Sequence, residues 1–179
     1  MGIAFIIFVF FLLIAYFFLS RTASPVPYFP SNQKDMNAIV DYLKLRNNHT
    51  VIDMGAGDGA VIFAAADYAQ RHSLNTRLIA AEINPTLLGI LYLRRLLHPY
   101  RAHISIMYAD MFHYPFSKIA TTKTVTVFYY ISPWLLQQAY GHITHELPKA
   151  RIVSYFYPLP HKKPSKQTKG VHQLFVYSA

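Results

Sequence analysis

The chain has 179 residues, 53% hydrophobic and 14% charged, with a net charge of +9 and no cysteine. That length accommodates one domain plus a short extra segment. Without cysteine, disulfides, thiolate metal sites and cysteine nucleophiles are excluded, whereas the positive charge favours anionic partners such as lipid headgroups, nucleic acid or acidic protein patches.

Gly2 to Leu19 (GIAFIIFVFFLLIAYFFL) carries neither charge nor proline. As a helix this run spans about 27 Å, close to the hydrocarbon thickness of a bilayer. A cleaved signal would need a basic start and a small-residue cleavage site. Here Arg21 falls two residues before Ala23, and nothing basic precedes the run except the amino terminus. Residues 1–20 are therefore expected to be a retained transmembrane anchor. Arg21, Lys34, Lys44 and Arg46 lie on its C-terminal side, which places the following domain in the cytoplasm by the positive-inside rule.

Residues 21–30 (RTASPVPYFP) hold three prolines and read as an extended linker. Ser31 is the expected N-cap of a helix with Met36, Ile39, Val40 and Leu43 on its apolar face. Strands and helices then alternate. Strands are expected at Thr50–Met54, Arg77–Ile83, Ala102–Tyr108, Thr124–Tyr130, Arg151–Tyr157 and Val171–Tyr177. Helices are expected at Ala60–Gln70, Pro85–Leu97 and Pro133–Glu146. Residues 161–170 (HKKPSKQTKG) read as a basic loop, either merely solvated or touching anionic lipid. The alternation predicts an α/β domain over 31–179 with a mostly parallel sheet covered on both faces. Leu87–Leu97 is apolar nearly all round. Burial against the sheet is its expected fate, and a rest on the bilayer with Arg94 and Arg95 at the headgroups is the alternative.

The chemistry concentrates in Val51–Gly59 (VIDMGAGDG). A strand enters Asp53-x-Gly55-x-Gly57-x-Gly59, with Ala56 and Asp58 between the glycines, and a helix follows. Glycines allow a sharp turn and close approach of a ligand to the backbone, and the helix start offers unpaired N–H groups. Glu82 ends the second strand and is followed by Ile83 and Asn84; a carboxylate there can accept ribose hydroxyls. The dinucleotide pattern GxGxxG would need glycine at position 60, where the chain has Ala60. The DxGxGxG form resembles S-adenosylmethionine (SAM)-binding methyltransferases, in which an acid after the third strand, here Asp110 followed by Met111, reaches the adenine.

Val26-Pro27-Tyr28-Phe29-Pro30-Ser31, the DMGAGDG loop, Glu82-Ile83-Asn84-Pro85, Glu146-Leu147-Pro148 and Phe156-Tyr157-Pro158-Leu159-Pro160 together resemble the FAM173 family. That family comprises membrane-anchored protein lysine methyltransferases, including mitochondrial enzymes acting on the adenine nucleotide translocase and on the c-ring protein of ATP synthase. Ala56 stands where the family carries serine. The resemblance implies a Rossmann-like three-layer sandwich of six or seven strands, SAM as cofactor, and methylation of a lysine in a membrane protein. It implies direct displacement by a neutral amine. Tyr129, Tyr130 and Trp134 then lie where the acceptor enters, and Tyr28 and Phe29 close the pocket from the N-terminal side; the alternative for these aromatics is core packing. The rival functions are a methyltransferase for a lipid or small hydrophobic molecule and a non-catalytic SAM-binding membrane protein. Nucleic acid is disfavoured as acceptor, since the chain lacks an NPPY-type sequence. A zinc site at His142 and His145 lacks a third ligand.

Overall fold

The computed structural model describes residues 2–23 and 29–179, and within these the side chains of all but 14–23. Helix α1 runs over Gly2–Ala23, and its described side chains, among them Phe5, Phe8, Phe10 and Phe11, are exposed apart from the half-buried Val9. Among the described residues no helix is both long and apolar enough to cross a membrane. The expected span Gly2–Leu19 falls partly outside the described side chains, as does most of the expected linker.

The domain begins with a short 3-10 turn, Gln33–Asp35, capped by the Asn32 side chain, which accepts from the Lys34 N–H. Asn32, rather than the expected Ser31, is therefore the cap. Helix α2 (Met36–Leu43) buries Met36, Ile39, Val40 and Leu43 as their spacing requires, and stops at Lys44 in the left-handed conformation.

Strands β1 (His49–Met54), β2 (Thr76–Glu82), β3 (Ile104–Tyr108), β4 (Thr124–Tyr129) and β5 (Arg151–Tyr155) are parallel, and β6 (Lys166–Lys169) and β7 (Gln173–Ser178) complete one sheet of order β3-β2-β1-β4-β5-β7-β6. β7 is antiparallel to both of its neighbours. Every residue of β1 is buried, as suits a central strand covered on both faces. Side chains alternate between the faces. Val51, Leu78, Phe128 and Val153 pack with α2, α3 (Ala60–Arg71) and α4 (Pro85–Leu97) on one side. Ile52, Ile79, Val127 and Ile152 pack with α5 (Leu136–Glu146) and the β3–β4 connection on the other.

Three expectations change. The segment read as a basic loop contains strand β6, which brings the sheet to seven strands, the larger of the two expected numbers. Its KQTK sequence has no apolar face and pairs only with β7, so lysines sit on the exposed edge, where they discourage pairing with another chain. The last helix starts with a 3-10 turn, Pro133–Leu135. Finally, α4 is not enclosed. Leu88 and Leu91 are buried, while Ile90, Leu93, Leu96 and Leu97 stand exposed, Leu97 by 76%. Arg94 and Arg95 turn inward: Arg94 donates to the Asp58 carbonyl and Arg95 to the Ile104 carbonyl.

Candidate functional site

The order of connection reverses at β1: the chain goes first to β2 and β3, then returns to β4 on the other side. Such a reversal leaves a crevice beyond the carboxyl ends of the strands, where ligands of open α/β sheets bind. The glycine bend of residues 55–59 lies there.

Gly55, Gly57 and Gly59 have φ of +81°, +59° and +83°. The N–H groups of Gly55 and Ala56 both donate to the Ala81 carbonyl, tying the bend to the end of β2. A Cβ on Gly55 would stand 2.8 Å from Cε of Met111, and one on Gly59 would stand 2.5 Å from Cδ2 of Leu91. The first glycine admits the Met111 side chain against the bend, and the second lets α4 pack under the start of α3.

Glu82 is 5% exposed and turned into the bend. Its Oε2 accepts from the Gly57 N–H at 2.8 Å, and its Oε1 accepts from the N–H groups of Ile83 and Asn84 at 2.9 and 2.8 Å. A carboxylate has about four acceptor positions, so Oε2 retains room for one ligand hydroxyl. Asp53 is buried at the end of β1. Burial first, then the charges of Glu82 and Asp58, push its carboxyl well above the usual range.

The remaining acids are engaged in local structure. Asp58 accepts from the Ala60 N–H at the start of α3 and pairs with Arg94 at 3.2 Å. Asp110 accepts from the Phe112 N–H at 2.9 Å and faces the His113 ring at 2.7 Å. Asn84 caps α4, accepting from the Thr86 N–H. Ile83 is half-buried and Ala56 is buried.

The aromatic candidates separate. Tyr130, just past β4, is half-buried and meets Tyr155 and Phe156 edge-on, at 5.0 and 6.2 Å. Tyr129 is wholly buried on the α5 side of the sheet, in the core. The Ser154 hydroxyl donates to the Tyr157 carbonyl, and the Tyr129 hydroxyl has no hydrogen-bond partner. A residue so enclosed cannot meet an acceptor. Trp134 is 75% exposed at the start of the turn before α5. Tyr28 lies outside the described residues.

One cluster escaped the sequence reading. Asp35 is buried and accepts from the Tyr155 hydroxyl and the Val171 and His172 N–H groups, at 2.7, 2.7 and 2.8 Å. Burial raises its pKa, but these three bonds and the His172 ring outweigh it and hold the carboxyl below its ordinary value. The cluster clamps the start of the domain onto the β6–β7 turn. There His172 packs 4.3 Å from Phe156, whose φ of +75° marks strained backbone at the end of β5. The available signal was that Asp35 is one of only eight acids. His142, by contrast, bonds the Tyr114 carbonyl, and His145 faces Glu146.

The strand order, the reversal at β1 and the glycine bend define a class I SAM-dependent methyltransferase fold. Solved structures agree. The chain superposes on an RNA methyltransferase from Salinibacter ruber, bound to S-adenosyl-L-homocysteine, with a TM-score of 0.71. That likeness comes at 16% identity and covers 84% of this chain and 93% of that one. A precorrin-6y C5,15-methyltransferase from Geobacter metallireducens matches with a TM-score of 0.58 at 20% identity, over 70% and 63% of the two chains. No family model matches. Among curated proteins, the chain is 28% identical over 158 residues to the adenine nucleotide translocase lysine N-methyltransferase of Mus musculus, covering 85% of this chain. It is 24% identical over 156 residues to the Homo sapiens lysine N-methyltransferase named for the c-ring protein of ATP synthase, covering 86%. Both are FAM173-type lysine methyltransferases, the family that the sequence resembles. The chain spans 62% of the length of each.

Proposed function

We propose that this protein is a SAM-dependent methyltransferase that modifies a lysine in a membrane protein and is held at the membrane by α1. The observation that carries the reading is Glu82 hydrogen-bonded to the Gly57 N–H inside the glycine bend. An acid fixed there by three backbone donors is poised to receive a ribose, and the positive-φ glycines leave the backbone open to an adenosine. Gly55, Gly57, Glu82 and Met111 would hold the cofactor, with Asp53 beneath them; when bound, SAM supplies an electrophilic methyl group.

The chain's own contribution is placement and desolvation. Aligning two reactants at contact distance supplies much of a displacement's acceleration. An aromatic wall favours the neutral amine, which is the nucleophile, by excluding water, and its ring faces stabilise the methylated ammonium product. Tyr130 and Phe156 at the ends of β4 and β5 are suited to form that wall, with His172 behind Phe156. No general base is required if the amine enters unprotonated.

The apolar outer face of α4 and the exposed Trp134 support membrane proximity, because exposed apolar patches on a domain mark interaction surfaces. The backbones of α1 and α4 approach one another, which would bring that face towards the bilayer. Lys and Arg residues following α1 support a cytoplasmic orientation. The names of both curated relatives describe lysine methyltransferases, one for an ATP synthase protein and one for the adenine nucleotide translocase, which supports a membrane-protein acceptor.

The test is incubation of radiolabelled SAM with native membranes, with and without the full chain. Label in a protein band, located on lysine by mass spectrometry, is the expected result. Label in extractable lipid would replace lysine by a lipid acceptor. SAM binding without transfer to any fraction would leave a non-catalytic binding protein.

A further inference from the structure

At the opposite end of the strands from the glycine bend, the amino ends of β1, β4 and β5 surround a cleft of about 270 Å³. Five cations line it, Lys44, Arg46, Lys123, Lys149 and Arg151, together with His49 and Thr126. Lys44 is paired with Asp41 at 2.8 Å. Among the described residues no carboxylate forms a salt bridge with Arg46, Lys123, Lys149 or Arg151. Arg151 is held in place by its Nε, which donates to the Tyr42 carbonyl at 3.1 Å.

The histidine specifies the chemistry further. The Thr126 hydroxyl donates to the Leu43 carbonyl at 3.2 Å, so it accepts from Nε2 of His49 at 3.0 Å. This fixes the proton on Nε2 and leaves Nδ1 a bare acceptor. His49 is 2% exposed, and Nδ1 has no partner in the protein. Buried polar atoms are almost always paired, so an orphan on a histidine that lines a cationic cleft points to a ligand. The ligand must be anionic to meet four unpaired cations, and must carry its own O–H to meet Nδ1. Hydrogen phosphate and phosphomonoesters satisfy both conditions near neutral pH, where their second ionisation is incomplete. Sulfate supplies the charge without the proton.

We propose that this cleft is a binding site for a phosphate group, either of a soluble phosphate compound or of a phosphomonoester lipid headgroup. Arg46, Lys123, Lys149 and Arg151 meet the oxygens, and the phosphate O–H donates to Nδ1 of His49. The site is separate from the crevice of the glycine bend, so its occupancy stands or falls independently of methyl transfer.

The test uses the full chain in phosphatidylcholine nanodiscs and follows the His49 ring nitrogens by NMR, assigned with His49→Gln. One arm titrates inorganic phosphate into the millimolar range, with sulfate in parallel; a second replaces half of the lipid by phosphatidic acid. The expected result is a saturable shift of Nδ1 with phosphate, with phosphatidic acid, or with both, and a weaker response to sulfate. A response to phosphate alone assigns a soluble ligand, and a stronger one to phosphatidic acid assigns a headgroup. The double variant Lys123→Gln/Lys149→Gln removes two charge-assisted contacts from exposed side chains that make no internal bond. It should weaken binding about tenfold or more, with unchanged thermal midpoint and SAM affinity. An unmoved His49 in both arms, an equal response to sulfate, or full affinity in the double variant would overturn the proposal.

Discussion

The Gly57 N–H and the Glu82 carboxylate lie 2.8 Å apart, so an acid at the end of β2 fixes the glycine bend after β1. The bond has two consequences that separate on mutation. Glu82→Gln keeps one oxygen to accept a backbone N–H but loses the charge and half of the acceptor capacity. Glu82→Ala removes the carboxylate that the Gly57, Ile83 and Asn84 N–H groups donate to. Truncating a charged hydrogen-bond partner costs about 1.5–3 kcal/mol. SAM affinity should therefore fall about 10- to 100-fold in either variant, while Glu82→Ala should also lower the thermal midpoint. Calorimetric titration of SAM and a melting curve on the same samples check both.

Asp53 gives a pH signature. Its folded-state pKa lies above the unfolded value, chiefly through burial and then through the Glu82 and Asp58 charges. The native state thus keeps its proton longer, and this group's contribution to stability falls as pH rises from the unfolded value through the folded one. SAM brings a sulfonium and an ammonium, which favour the ionised carboxylate. Binding should release a proton and tighten as pH rises over that window. In Asp53→Asn both dependences should flatten. Titrations in two buffers of different ionisation enthalpy measure the proton count.

Much of this site was legible because its signals are local. A glycine bend between a buried strand and a helix requires a few adjacent residues, and Glu82 and Asp53 are identified by their place at strand ends. The alternation of strands and helices likewise predicted a mostly parallel sheet, and β1 to β5 are parallel. What escaped depends on distant partners. Asp35 meets Val171 and His172 across the whole domain, and no period in the sequence announces that pairing. β6 exists only because β7 offers a free edge. Tyr129 and Tyr130 are adjacent, so a strand sends one into the core and the other towards the crevice; offering both as site residues ignores the period of two. The outer face of α4 was misjudged because apolar composition alone does not say what covers a helix.

Gly170 tests the clamp at Asp35. A Cβ there would stand 2.1 Å from Oδ1 of Asp35. Gly170→Ala must push either the turn or the carboxylate aside, breaking bonds to the Val171 and His172 N–H groups. Overpacking and loss of buried partners together should destabilise the fold by about 2–4 kcal/mol, measured by urea unfolding. Because His172 abuts Phe156, acceptor turnover should fall further than SAM affinity. Equal loss of both would place the effect in global unfolding.

The neighbouring tyrosines make a paired control for the acceptor pocket. Tyr129→Phe removes a buried hydroxyl that has no hydrogen-bond partner, so stability should hold or rise by about 1 kcal/mol with methyl transfer unchanged. Tyr130→Ala should leave SAM binding intact and reduce transfer to the proposed acceptor about tenfold or more, as loss of a positioning contact does. A larger activity loss in Tyr129→Phe than in Tyr130→Ala would remove the aromatic wall from the ends of β4 and β5.

His49 sets the acid limit of the fold. Burial, followed by repulsion from Arg46 and Arg151, lowers its pKa from 6.5 to about 4. The unfolded chain therefore takes up the proton first. The contribution of this group is fully present above pH 6.5 and is lost as pH falls through about 4. One pKa unit corresponds to about 1.4 kcal/mol, so the shift amounts to about 3 kcal/mol of acid destabilisation. His49→Gln offers Thr126 an amide donor without a titrating ring. Its unfolding free energy should be flatter than that of the native chain between these limits in chloride buffer. A phosphate bound at the cleft would offset the repulsion from Arg46 and Arg151 and so raise the pKa of the ring, making the native chain more acid-tolerant in phosphate than in chloride. In Lys123→Gln/Lys149→Gln that difference should shrink, because two of the cations that attract the anion are gone while the arginines that depress His49 remain.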